Sequence, residues 1–287
     1  MAPSIRPAPA SRLGIAAWCL YDWANSAFPT VIITFVFAAY FTKGVAPDEV
    51  TGTALWGQAI GWSALFVAVI SPIAGAVADH TGARKPWLFV STAACVVLSA
   101  ALWVVAPEQD MMIWGLLLIA AANAAFETGM VFYNAMLPDL VEDRRIGRVS
   151  GWGWGTGYAG GLVCLVLVLF LFVQTDTPLF GLDKDAAEHL RITGPFVAVW
   201  MALFAFPIFL LSPDRPRSDV KIAEAVRRGF RELAGTIRTA RAHATVFRYL
   251  LARMIYTDGL NTLFTFGGIY AAGTFGMSFA DLIVFGI

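Results

Sequence analysis

Apolar residues fall in long runs separated by short polar breaks. Runs long enough to cross a bilayer, about 20 residues at 1.5 Å each, cover 13–41, 53–78, 87–106, 111–137, 149–173, 194–211 and 246–273. An eighth begins near Ser278. The pattern predicts an all-α fold, a polytopic membrane helical bundle. The first run is too long for the core of a cleaved signal peptide, and too polar at Asp22, Asn25 and Ser26, so it is expected to remain as a span.

The polar breaks are unequal in charge. Arg6, Arg12, Arg84, Lys85, Arg144, Arg145, Arg148, Arg215, Arg217, Lys221, Arg227, Arg228, Arg231, Arg238 and Arg241, fifteen of the twenty basic residues, fall on one side of the alternating spans. Lys43, Lys184 and Arg191 fall on the other, while Arg248 and Arg253 belong to the seventh run. Fifteen against three predicts a cytoplasmic N-terminus. The one extended polar stretch, 213–244, divides a six-span bundle (1–212) from a further segment (245–287). Within it Ile222, Val226, Phe230, Leu233 and Ile237 recur at helical spacing, with Ser218 and Asp219 available as caps. This predicts an amphipathic helix on the cytoplasmic membrane surface, its arginines facing headgroups.

Composition agrees: 58% of the 287 residues are hydrophobic and 14% charged, with a mean hydropathy of +0.69, against roughly 45–50% and 25% in soluble domains. The 20 basic and 20 acidic residues cancel, leaving no global positive field for nucleic acid. Cys19, Cys95 and Cys164 lie far apart in apolar runs, with no disulfide framework or metal-ligand spacing. His80, His189 and His243 fall in loops, so any proton carried through the membrane would ride on a carboxylate. No phosphate-binding G-x-x-x-x-G-K-[S/T] loop and no T-V-G-Y-G filter occurs. No enzyme chemistry, cofactor or metal is expected; the expected partners are the lipid bilayer, a small solute and protons.

Ionisable groups at bilayer depth cost about 2.5–3.5 kcal/mol on insertion scales and face bundle interiors or wet cavities. Asp22 lies about 13 Å into its span by helical rise, with Asn25 and Ser26 on its face and Pro29 one turn on. The fourth run carries Asn123, Glu127 and Asn134 as one stripe; the seventh carries Arg253 and then Asp258, Asn261, Thr262 and Thr265. Asp22, Asn25, Ser26, Asn123, Glu127, Asn134, Arg253, Asp258 and Asn261 form the candidate substrate or proton pathway, with Asp22 or Glu127 as the proton carrier. Hydrogen bonding between helices is the simpler alternative, and for Arg253 snorkelling to the surface. Asp22-Trp-Ala-Asn25-Ser26-Ala-Phe28 and Asp258-Gly-Leu-Asn261-Thr262-Leu-Phe264 share D-x-x-N-[S/T]-x-F, 236 residues apart, as a parallel internal repeat requires. The fifth run carries Gly147, Gly151, Gly153, Gly155, Gly157, Gly160 and Gly161, including three G-x-x-x-G spacings, a signature of close helix contact.

The stretch Gly75-Ala-Val-Ala-Asp79-His80-Thr-Gly82-Ala-Arg84-Lys85 resembles the G-x-x-x-D-[R/K]-x-G-R-[R/K] loop between the second and third helices of the major facilitator superfamily. Tyr21–Phe28, Asn134-Ala-Met-Leu-Pro138-Asp139-Leu and Arg145-Ile-Gly147-Arg148-Val-Ser-Gly151 resemble the branch named after the autophagy-related vacuolar amino-acid effluxer. The resemblance implies a six-helix N-terminal bundle plus the start of a second, a proton- or ion-coupled permease working by alternating access, and amino acids as possible cargo. It implies that Asp22, Glu127 and Asp258 wall one cavity, and that Gly75, Asp79, Gly82, Arg84 and Lys85 form a conformational latch, Gly75 permitting close packing between halves. His80 departs from the pattern's cation. A multi-pass protein of the cell membrane is expected. On the family pattern the chain reads as an incomplete permease, inactive in coupled transport unless a second chain or a missing C-terminal segment completes it. The competing reading is a non-transporting, permease-like sensor or scaffold.

Overall fold

The computed structural model describes residues 10–286 apart from 217 and 219, and apart from the side chains of 237 and 240. The expectations for Arg6, Arg217, Asp219 and the Ile237 side chain lie outside the described residues. All regular elements among the described residues are helices. Six segments are long and apolar enough to cross a membrane: α1 (Arg12–Val45), α2 (Glu49–Thr81), α3 (Lys85–Val104), α4 (Gln109–Leu140), α5 (Asp143–Val173) and α6 (Glu188–Leu211). They are followed by α7 (Ile222–Ala242), α8 (Ala244–Thr274) and α9 (Phe279–Gly286). The seventh expected span is therefore a helix of 31 residues, but Arg248, Arg253, Asp258 and Asn261 keep it below the apolarity of the other six.

Local chemistry sets the helix ends and one irregularity. The Ser11 hydroxyl caps α1 by accepting the Gly14 amide at 3.1 Å. Asp48 caps α2, accepting from the Thr51 amide at 2.9 Å and its hydroxyl at 2.7 Å. Pro29 has no N–H to donate, and the disruption expected there is taken up by a π-helical stretch, Phe28–Phe35, inside α1. The Thr30 hydroxyl donates back to the Ser26 carbonyl at 2.8 Å across this wider turn.

The helices pack in the neighbour order α5–α1–α6–α3–α4–α2, an arc whose two ends, α2 and α5, scarcely touch. Most of the apolar part of α1 is buried, whereas α2–α6 each leave more than half of theirs uncovered. Thus α1 is the hub, and exposed residues such as Trp62, Phe66, Phe89, Trp114, Leu203 and Phe206 form the apolar exterior that a bilayer would solvate. α8 reaches the bundle only through its C-terminal part: Gly268 meets the Thr34 backbone, and the Lys43 ammonium donates to the carbonyls of Ala272 at 3.0 Å and Met277 at 3.4 Å.

The amphipathic helix forms as α7, and it packs on the end of α2. Ala225 is fully buried, Gly229 sits against Ala76, and Glu232 approaches His80 at 3.4 Å, a stripe at i, i+4 and i+7. Ile222, Phe230 and Leu233, the expected apolar face, remain exposed beside that contact. Ser218 does not cap α7; its hydroxyl accepts the Val220 amide at 3.3 Å, ahead of the helix.

The glycines of α5 divide by face. Gly147, Gly151 and Gly155 look into open space, which removes the 151/155 spacing from the helix contact. Gly153, Gly157, Gly160 and Gly161 lie against α1, where an added Cβ would come within 2.6 Å of the Trp18 ring, 2.8 Å of Ser26 Oγ, 2.7 Å of Trp23 Cα and 2.7 Å of Thr30 Oγ1. Gly160→Ala is therefore expected to lower stability by about 1–3 kcal/mol, the usual range for overpacking. Gly155→Ala, on the open face, should be neutral or stabilising by up to about 1 kcal/mol. Paired thermal melts in one detergent check this, and equal effects at the two positions would remove the glycine contact from the account.

Candidate functional site

The opening of the arc holds a cavity of about 610 Å³ lined by α1, α2, α4, α5 and α8, with Gly286 of α9 at its edge. Asp22 and Ser26 come from α1, Asn123 and Glu127 from α4, and Asn261 from α8. The apolar walls include Phe126, Phe264, Trp154 and Tyr158. Thus five of the expected pathway residues, and Thr265 of the same α8 stripe, meet in one space, brought there by helices far apart in sequence.

Asp22 rests on the bare surface of α5: its carboxylate lies 3.2 Å from the positions a Cβ would take at Gly153 and Gly157. It interacts with the Tyr133 hydroxyl and with Asn25. Tyr133 is stacked between Trp18, at 4.5 Å, and Tyr21, at 4.9 Å. Reciprocal hydrogen bonds tie the pair together, Trp18 Nε1 donating to the Tyr133 carbonyl at 3.3 Å and the Tyr133 hydroxyl donating to the Trp18 carbonyl at 3.1 Å. α4 is fixed to α2 in turn by Asn123 Nδ2 donating to Ser63 Oγ at 3.0 Å. Glu127 is exposed in the cavity lining, and among the described residues neither it nor Asp22 is held in an ion pair.

Four of the expected pathway residues lie elsewhere. Asn25 is buried outside the cavity lining, its amide donating to Met130 Sδ at 3.2 Å. Asn134 is exposed seven residues beyond Glu127, about 10 Å along α4, where the stripe has left the cavity. Arg253 and Asp258 are exposed on the part of α8 that has no neighbour. Asp258 therefore does not share a wall with Asp22 and Glu127; Asn261 and Thr265 hold that side instead. Trp154 and Tyr158 were not singled out from the sequence, although they follow Gly153 and Gly157 directly and repeat their i, i+4 spacing.

The expected latch residues sit at the opposite pole of α2. Gly75 faces open space, with no close packing against it among the described residues. Gly82 has φ +83°, and a side chain at it would overlap the Pro216 carbonyl, so the turn between α2 and α3 requires glycine. Asp79 is 67% exposed and 3.5 Å from Arg84, whereas Arg84 is buried and ion-paired chiefly with Asp139 at the end of α4. Arg84 also donates to the Ala135 carbonyl, and Arg215 pairs with the other oxygen of Asp139. Burial pulls the Arg84 pKa below its ordinary value, against the pull of Asp139. Asp214 accepts the amides of Arg84 at 2.9 Å and Lys85 at 3.1 Å, capping α3 from the chain beyond α6. Lys85 Nζ donates to the Phe209 carbonyl at 3.0 Å, near the end of α6.

The sequence profile of a family described as "Vacuole effluxer Atg22 like" matches residues 45–287. A Bacillus subtilis (strain 168) protein named "Uncharacterized MFS-type transporter YxiO" is 29% identical over 259 residues, 89% of this chain and 59% of that protein. "Autophagy-related protein 22" of Yarrowia lipolytica (strain CLIB 122 / E 150) is 23% identical over 191 residues, 59% of this chain and 31% of that protein. The chain thus spans less than two thirds of the length of either relative.

The buried ion cluster predicts an order of sensitivity. Asp139→Ala leaves Arg84 and Arg215 without their shared carboxylate and should cost about 3–5 kcal/mol of stability. Asp79→Asn removes a mostly exposed partner and should cost about 0–1 kcal/mol. Denaturation in detergent, with both variants beside the parent, measures the difference; a greater loss from Asp79→Asn would contradict the assignment.

Proposed function

The chain belongs to the Atg22-like vacuole effluxer family of major-facilitator permeases, and from that premise we propose that it is a secondary active transporter of a small solute. The reading rests on one observation: a cavity at the centre of the membrane bundle holds two carboxylates, Asp22 and Glu127, with no basic partner among the described residues. An ionised carboxylate in such a place is costly, and taking up a proton relieves the cost. In this reading Asp22 and Glu127 carry the coupling proton, and alternating access moves it together with the solute. Amino acids are one class to test as cargo, because the sequence resembles the branch named after the vacuolar amino-acid effluxer. The N-terminus and α7 face the cytoplasm, on the excess of Lys and Arg at that end, and the host membrane is the plasma membrane.

Two measurements test the proposal. In a full-length protein that completes the fold, uptake driven by a pH gradient should fall about tenfold or more in both Asp22→Asn and Glu127→Gln, the loss expected when a group worth about 1.4 kcal/mol to the rate-limiting step is removed. Unchanged uptake with unchanged pH dependence in both variants would exclude the carboxylates as carriers. In a cysteine-free background, Ser218→Cys should react with a membrane-impermeant maleimide only after the membrane is opened. Labelling of intact cells would reverse the orientation.

A further inference from the structure

The cavity is chemically one-sided. Among the described residues that line it, the only ionisable groups other than the Tyr158 phenol are Asp22 and Glu127, and no lysine, arginine or histidine is present. An anionic solute would meet two carboxylates and no counter-charge. A neutral solute would displace water from both and leave them uncompensated in a low-dielectric space. Only a cation improves the electrostatics of both groups on entering.

The aromatic wall points to the same ligand by an independent route. Trp154 and Tyr158, four residues apart on α5, stack at 5.9 Å with their planes 29° apart. Each follows one of the glycines, Gly153 and Gly157, that rest against Asp22, so the contact bringing α5 onto α1 also places two aromatic side chains in the cavity that Asp22 lines. Ring faces attract a poorly hydrated cation, tryptophan most strongly. The hydroxyls of Ser26 and Thr30 and the amide of Asn261 supply acceptors for ammonium N–H groups. The volume of about 610 Å³ suits a drug-sized or smaller molecule.

We propose that this cavity is a binding site for an organic cation, a solute with an ammonium group and an apolar body, held between Asp22, Glu127 and the Trp154–Tyr158 pair. The proposal deepens the transporter reading and rests on it for its purpose, but binding tests it separately from transport. The net positive charge distinguishes this ligand from a zwitterionic amino acid, whose carboxylate would find no cationic partner here.

The test uses isosteric pairs on the purified full chain in detergent: choline against 3,3-dimethylbutan-1-ol, and tyramine against tyrosol, with 3,3-dimethylbutyrate as the anion. Binding is read by thermal shift and by quenching of tryptophan emission. The charged member of each pair should bind at least about tenfold more tightly than its neutral isostere. That preference should shrink in Glu127→Gln, an isosteric replacement of an exposed lining residue, and in Trp154→Leu. Equal binding of charged and neutral members, tighter binding of the butyrate, or no cation-specific shift would overturn the proposal. Because these readouts need no variant and no gradient, they stand even if Asp22→Asn fails to fold. Cation binding without pH-driven uptake would count against the transporter reading and leave this one intact.

Discussion

At Gly153, Gly157, Gly160 and Gly161, α5 lies against α1 with no side chain of its own in the way, and a Cβ at Gly160 would overlap the Trp23 backbone. Helices in lipid gain little from hydrophobic association, since the solvent is as apolar as their side chains, so close backbone approach and interhelical hydrogen bonds must hold them. Here both act together: the Thr156 hydroxyl, on the same face, donates to the Cys19 carbonyl of α1 at 3.1 Å. The distance between the two helices then dictates the rest of the site. It seats Asp22 on a surface without side chains and places Trp154 and Tyr158 at the cavity wall. Because the hub helix α1 also packs on α6 and stacks its aromatics on α4, a shift at the glycines would propagate to every wall.

The other pole of the bundle is built on the opposite principle. There Asp139 accepts from two arginines at once, and Asp214 closes the amide end of α3, so each buried charge or exposed helix end has a partner from another part of the chain. Removing one partner of such a cluster strands another buried charge, which is why the cluster fixes α2, α3, α4 and the segment after α6 relative to one another. The Gly82 turn belongs to the same construction, since it lets the Pro216 backbone pass against the loop while the Ser218 amide donates to the Thr81 carbonyl at 2.8 Å. The Asp79–Arg84 pair suggested by the family pattern is peripheral to it.

Much of this was legible along the chain, and the exceptions share a cause. Apolar runs located all six membrane-length helices because a bilayer fixes their length and excludes charge. Periodicity put Asp22 with Ser26, and Asn123 with Glu127, on common faces. It could not say how far along a face the neighbouring helices continue, so Asn134 and Asp258 were grouped with residues that line a cavity they do not reach. The two D-x-x-N-[S/T]-x-F segments differ in surroundings for the same reason: Asp22 is enclosed by α4 and α5, while the equivalent part of α8 is exposed among the described residues. Asp139, Asp214 and Arg215 lay within stretches already noted, but their partners in other helices are 55 to 130 residues away in the chain, a relation no local spacing encodes. Trp154 and Tyr158 were readable in principle, as the residues next to two packing glycines.

The contrast between the two poles constrains what the cavity can do. Charge at the Arg84–Asp139–Arg215 cluster is neutralised from within the chain, so that end needs nothing from solution to remain folded. Charge at Asp22 and Glu127 has no such source among the described residues. Asp22 has hydrogen-bonding neighbours in Tyr133 and Asn25, but these are neutral and cannot cancel a charge. In the reading proposed above, what compensates the two carboxylates is mobile, able to leave as well as enter. A proton and an ammonium group both meet that condition, and both satisfy the same two oxygen centres. Occupation by one lowers the electrostatic demand for the other, so the cavity holds the elements of an exchange before any movement of the helices is invoked.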